Sequence, residues 1–140
     1  KEGFDIAVMI IPYLIAILCA VSIFTSGGAM KVLTGLLSPV TNLLGVDPAL
    51  VPLALLRPLS GSGARGIMLD IWSQHGGPDS LIGFTASIMQ GSSETTFYIL
   101  AVYCGSVAVR RTRGVLGPLL LGDLAGFIVA VIAAKMFFPL

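Results

Sequence analysis

Residues 49–66 read ALVPLALLRPLSGSGARG, and residues 81–97 read LIGFTASIMQGSSETTF. Each begins with an apolar run that, at about 1.5 Å per helical residue, reaches only part of the way across a bilayer core of about 30 Å. Each run then stops at a cluster of glycine, hydroxyl and charged side chains, and a second apolar piece follows. A backbone break cannot face hydrocarbon, because its N–H and C=O groups would have no partner there. It must line a cavity or be buried in protein. Paired broken helices of this kind are a recurring device of secondary transporters.

The rest of the composition fits that setting. The chain has 140 residues, 56% hydrophobic and 11% charged, with a mean hydropathy of +0.98. Soluble domains carry about 25% charged residues, so this chain lacks the charge to cover its own surface in water. A net charge of +1 gives no field for nucleic acid, and no nucleic-acid partner is expected. Arg110, Arg111 and Arg113 form the one dense basic cluster and read as a cytoplasmic anchor under the positive-inside rule. Cys19 and Cys104 lie in apolar stretches and read as small buried residues, not as a disulfide or a metal pair.

Working outward from the two breaks, residues 5–24 are long enough to cross as one helix, kinked at Pro12. They exceed the roughly 7–15 residues of a signal-peptide core. The chain opens at Lys1, so further residues are expected before it. Residues 30–44 put Leu33, Leu36, Leu37, Val40, Leu43 and Leu44 on one helical face and predict an interfacial helix, broken or bent near Pro39. The second piece of the first broken unit is expected over 64–74, and a turn-rich loop over 75–80. In the second unit the break is expected at Gly91, Ser92 and Ser93, with Glu94 opening a helix that runs to 109. Residues 115–138 form a last span. The expected fold is therefore an all-α integral membrane protein with a single domain over 1–140, two full spans, and broken units at about 48–75 and 81–109. With the arginine cluster in the cytoplasm, one broken unit must cross and the other must be a re-entrant hairpin. Either assignment satisfies the sequence.

The candidate site residues sit at the breaks. Arg57, Ser60, Gly61, Ser62 and Gly63, with Arg65 nearby, combine a tight turn, hydroxyls and a helix N-terminus, a set that suits a carboxylate, a phosphate or a polar ring. The alternative is a hairpin tip whose serines cap helices and whose arginines pair with acids. Gln90, Ser92, Ser93, Glu94, Thr95 and Thr96 surround an acid at membrane depth, where ionisable groups are expensive and functional by default. Glu94 could bind substrate, a coupling cation (Na+) or a proton, or simply sit favourably at a helix start. Asp123, in the Gly122–Gly126 stretch, is a candidate charge partner for Arg57, Arg65 or the cluster, as is Arg65 for an acid. His75 has no companions at metal-ligand spacing, and Ser62 with His75 in one short hairpin is no catalytic set. No enzyme activity, metal or cofactor is expected.

The strings PLALLRPLSGSGARG, HGGPDS and MQGSSETTFYILAVYCGSV, followed by the basic cluster and a Gly-Asp-Leu-Ala-Gly span, resemble the spore maturation protein B family of the Gate, or nucleoside recognition, group. The likeness runs over nearly the whole chain. It implies a membrane fold similar to one half of a concentrative nucleoside transporter, with the segments at 60–63 and 90–96 as this half's share of a site. It also implies a sister half, spore maturation protein A-like, on a separate or fused chain, and a bacterial cytoplasmic-membrane location. The leading expectation is a transport subunit for a small polar or anionic solute, working as a hetero-oligomer. The alternative is a non-transporting membrane scaffold in which the breaks merely pack against a partner.

Overall fold

The computed structural model describes residues 2–43, 45–107 and 112–138, and every regular element among them is helical. Helix α1 (Glu2–Ser26) carries Pro12 inside it. After a turn at Gly27 and Gly28, where Gly28 takes a φ of 78°, α2 (Ala29–Leu43) runs through Pro39 without interruption. Of the break or bend expected near Pro39, the break does not occur. The proline removes one i→i−4 bond, and the turns on either side hold the helix. Leu44 lies outside the described residues. Leu36, placed on the apolar face from sequence, is exposed.

Asp47 starts the next unit by accepting a hydrogen bond from Ala49 N at 2.8 Å. A 3-10 turn (Pro48–Leu50) leads into the short α3 (Val51–Leu56). Helix α4 (Gly61–Gln74) begins three residues before the expected start, because Ser60 takes extended geometry and accepts from Gly63 N as the N-cap. The loop at 75–80 needs its glycines. Gly76 and Gly77 have φ of 84° and 88°, where side chains other than hydrogen are strained. Ser80 then caps α5 (Leu81–Ser92) through Gly83 N.

Helix α5 is also longer than expected. Gly91 and Ser92 stay helical, and the break falls at residues 93–95. Glu94 therefore lies in the extended stretch and opens nothing, and Thr95 is the N-cap residue of α6 (Thr96–Ile99). A π-helical turn (Leu100–Cys104) continues α6. Residues 108–111, including Arg110 and Arg111, lie outside the described residues. Helix α7 (Arg113–Phe137) matches the expected last span.

Cross-links at both ends show how these pieces run. Gln90 Nε2 reaches Gly61 O at 3.3 Å, and Trp72 Nε1 reaches Gly83 O at 3.2 Å, so α4 and α5 are antiparallel. Helix α3 and its preceding 3-10 turn both lie against α5, and Arg57 at the end of α3 bonds the end of α5. The two run parallel, and the chain reverses between α3 and α4 at residues 57–60. The first broken unit is thus a helical hairpin and the second a helix interrupted by an extended stretch.

Helix α7 closes the assembly with one stripe. Asp123, Phe127, Ala130 and Ala134 are buried at i, i+4, i+7 and i+11, one face of a helix, while Leu121, Leu124, Val129 and Met136 around them are exposed. Small residues bring α7 close to α5: a Cβ on Gly126 would lie 3.2 Å from Ser92 O. Leu50, Leu53, Ala64, Ile71, Ala86, Met89, Phe127 and Ala130 form one core cluster across α3, α4, α5 and α7. Leu53 and Met89 are its largest fully buried side chains; truncating either to alanine costs about 2–5 kcal/mol in cores of this kind. Among the described residues one helix, Gly114–Phe137, is long and apolar enough to cross a membrane.

Candidate functional site

Four helix ends converge where the two breaks meet: the C-terminal ends of α3 and α5 and the N-terminal ends of α4 and α6. Helix C-termini leave carbonyls without intrahelical donors and carry partial negative charge, and a guanidinium answers both needs. Arg57, 6% exposed, does this here. Its Nε donates to Gln90 O at 3.0 Å, its Nη1 to Thr95 Oγ1 at 2.9 Å, and its Nη2 to Ser93 O. Nη2 also stands 3.9 Å from Glu94 Oε2, but that side chain is 80% exposed and such a pair contributes little. The backbone adds one bond across the junction, from Phe97 N to Pro58 O at 3.1 Å.

Arg57 therefore acts first as a clamp on the break. Thr95 shows the consequence: its hydroxyl accepts from Arg57 and makes no cap bond to its own helix. The glycines of the first break serve close approach. A Cβ on Gly61 would meet Thr95 Oγ1 at 2.8 Å and Arg57 Nη1 at 3.3 Å, and one on Gly63 would meet Leu56 Cδ2 at 2.9 Å. Ser60 caps α4, with Ser62 Oγ 3.4 Å from Ser60 Oγ. Ser92 Oγ donates back to Met89 O within α5.

Asp123 lies on the other side of the break. Thr96 Oγ1 donates to its Oδ2 at 2.5 Å, and both residues are buried. The charge partner expected for Asp123 was an arginine; among the described residues its partner is the Thr96 hydroxyl. Arg65, the other candidate charge partner, is exposed and forms no hydrogen bond or ion pair with the described residues.

A cavity of about 600 Å³ opens against this junction. Of the expected site residues it is lined by Arg57, Gly61, Ser62, Arg65, Gln90, Glu94 and Thr95, while Ser60, Gly63, Ser92, Ser93 and Thr96 are not part of its lining. Among the described residues, two buried polar atoms at the junction have no hydrogen-bond partner: Gln90 Oε1 and Ser93 Oγ. Met68, Trp72 and Ser87 also line the cavity and were not expected there. The signal was present as spacing: Gly61, Arg65, Met68 and Trp72 recur at i, i+4, i+7 and i+11 along α4. Met68 and Trp72 also lie at helical spacing with Ile67 and Ile71, and apolar character alone does not separate a packing face from a cavity wall. A second cavity of about 600 Å³ lies between α2, α3 and α7 and is almost wholly apolar, with Asp123 and Lys135 among its lining. Lys135 Nζ donates to Gly45 O at 2.8 Å.

Two comparisons with known proteins bear on this arrangement. A family profile described as nucleoside recognition, Gate, matches residues 7–110. Spore maturation protein B of Bacillus subtilis (strain 168) is 44% identical over 138 residues, covering 99% of this chain and 77% of that protein. No solved structure matches. On the extent of the profile match and the near-complete coverage at this identity, the chain belongs to the spore maturation protein B family of Gate, or nucleoside recognition, domains.

Proposed function

We propose that this chain is one half of a membrane transporter for a small polar or anionic solute, with the junction cavity as its share of the binding site. The observation that carries the reading is the cavity itself: two helix breaks, 33 to 38 residues apart in sequence, meet at one polar pocket. In this reading the protein is an integral protein of the bacterial cytoplasmic membrane, with α1 and α7 crossing it, α2 at the interface, and the Arg110 to Arg113 side in the cytoplasm. The α3–α4 hairpin is re-entrant, and α5–α6 is the crossing helix interrupted at 93–95, as in half of a concentrative nucleoside transporter. The pocket is open on one side, which fits completion by a sister half, spore maturation protein A-like, in a hetero-oligomer. The relative's name points to a role in spore maturation and the profile's to a nucleoside-like solute. Glu94 is the group best placed to meet solute or a coupling ion, Na+ or H+. Nothing in the site has the arrangement of a catalytic set, and no metal or cofactor is invoked.

One observation favours the scaffold alternative. Arg57, counted from sequence as a ligand for solute, is engaged with backbone carbonyls. A single experiment separates the readings. Cysteines placed one at a time at Ser62, Arg65, Gln90 and Glu94, on a background lacking Cys19 and Cys104 and with the sister half co-expressed, are exposed to a membrane-impermeant thiol reagent from each side. Labelling at these positions supports a water-filled pathway. Protection from both sides would sink the transport reading and leave the scaffold.

A further inference from the structure

We infer that the junction cavity selects a zwitterion, a solute carrying separate ammonium and carboxylate groups around a compact apolar or aromatic body; this rests on the transport reading above and narrows it. The inference comes from which polar groups are engaged and which are not. On the α4 wall, Arg65 is exposed and makes no bond to the described residues. With Ser62 and the positive end of α4 beside it, this wall attracts a carboxylate. On the wall formed by the end of α5 and the stretch after it, Glu94 holds its carboxylate in the open, 80% exposed, with Arg57 at 3.9 Å. Gln90 Oε1, also on that wall, is buried without a donor while its Nε2 is held by Gly61 O. A carboxylate and an orphaned amide oxygen together ask for a cationic N–H donor.

Farther along α4 and α5, away from the break, the lining is apolar in effect. Trp72 is polar only at its indole nitrogen, which donates to Gly83 O at 3.2 Å, and the Ser87 hydroxyl also donates to Gly83 O, at 2.8 Å. Met68 completes it. A simple anion would satisfy Arg65 but face Glu94 and leave Gln90 Oε1 unpaired. A simple cation would face two arginines. A solute without charge would leave both walls unanswered. The volume of about 600 Å³ falls within the roughly 300–1,000 Å³ of small-molecule sites.

The test is binding to the full chain, purified with its sister half in nanodiscs, using three phenyl probes that differ in charge and one uncharged nucleoside. L-phenylalanine carries both charges, hydrocinnamate keeps the ring and the carboxylate, phenethylamine keeps the ring and the ammonium, and uridine offers an uncharged ring. The expected result is L-phenylalanine binding at least about tenfold tighter than either singly charged probe, a gap of about 1.4 kcal/mol. Glu94→Gln should erase its advantage over hydrocinnamate, and Arg65→Gln its advantage over phenethylamine. Both side chains are exposed, so both variants keep their fold, checked by unchanged melting. Equal binding of hydrocinnamate and L-phenylalanine, or binding of uridine alone, overturns the zwitterion assignment while thiol labelling of the cavity keeps the transport reading standing. Protection of the cavity from thiol reagent overturns both.

Discussion

Two cavities of similar size and opposite character lie among these helices. One is lined by Arg57, Arg65, Gln90 and Glu94. The other is lined by leucine, valine and Phe127, with Asp123 at its edge. Neighbouring residues are divided between them: Glu94 and Thr95 face the first, while Thr96 turns its hydroxyl to Asp123 on the side of the second. What separates the two is completion. On the apolar side the polar groups meet each other and close. On the polar side an acid stays exposed and an amide oxygen lacks a donor. A closed pair is a packing device, and an incomplete set is an invitation to a ligand.

The strongest way to break this contrast is Arg57→Met, which keeps the length of the side chain and removes its donors. Gln90 O and Ser93 O lose their charged donor at a buried junction, and stability should fall by about 3 kcal/mol or more, read as a shift in chemical unfolding in detergent. Arg57→Lys should recover only part of that, because one ammonium cannot reproduce the planar fork. Gly61→Ala tests the same side by crowding. Its Cβ would arrive 2.8 Å from Thr95 Oγ1, and a loss of about 2 kcal/mol is expected, with cavity thiol labelling altered as the clamp shifts. On the apolar side, Thr96→Val leaves Asp123 without its hydroxyl and should cost about 1–2 kcal/mol. The double variant Thr96→Val with Asp123→Leu should be less harmful than the two losses added, and a double-mutant cycle measures that coupling. At the small end, Glu94→Gln should move the melting transition by no more than about 0.5 kcal/mol. A large drop on that substitution would mean that Glu94 belongs to the clamp, and the contrast between the sides would weaken.

Much of the architecture was legible because half-length apolar runs and glycine–serine breaks are local signals. The two interrupted units follow from them, and the long apolar runs at 5–24 and 115–138 fall within or nearly within the helices observed at Glu2–Ser26 and Arg113–Phe137. Break positions were less legible. Gly91 and Ser92 look like helix breakers in isolation, yet they remain helical because the carbonyls drawn off by Arg57 belong to Gln90 and Ser93. The start of α4 at Gly61 was concealed by the same glycines and set by the Ser60 cap. At the site, sequence supplied the residue types but not their partners. Nothing local tells that Arg57 will bind carbonyls 33 and 36 residues away, or that Asp123 will find the Thr96 hydroxyl and neither Arg57 nor Arg65 among the described residues. Trp72 and Met68 were hidden for a different reason: an apolar residue at helical spacing can face a core or a cavity, and only the packing of α4 on α5 decides.

The clamp also imposes an order of events during synthesis. Arg57 leaves the ribosome before any of its acceptors exist, and Ser93 follows 36 residues later. At about 5–20 residues per second, that interval lasts roughly two to seven seconds. For most of it the guanidinium sits at the end of an apolar segment with none of its acceptors yet made, so, on the re-entrant reading proposed above, the α3–α4 hairpin has no reason to settle at depth. The hairpin and α5 should therefore bury themselves together, as one late step, and a nascent chain halted before Ser93 should leave Arg57 still open to water.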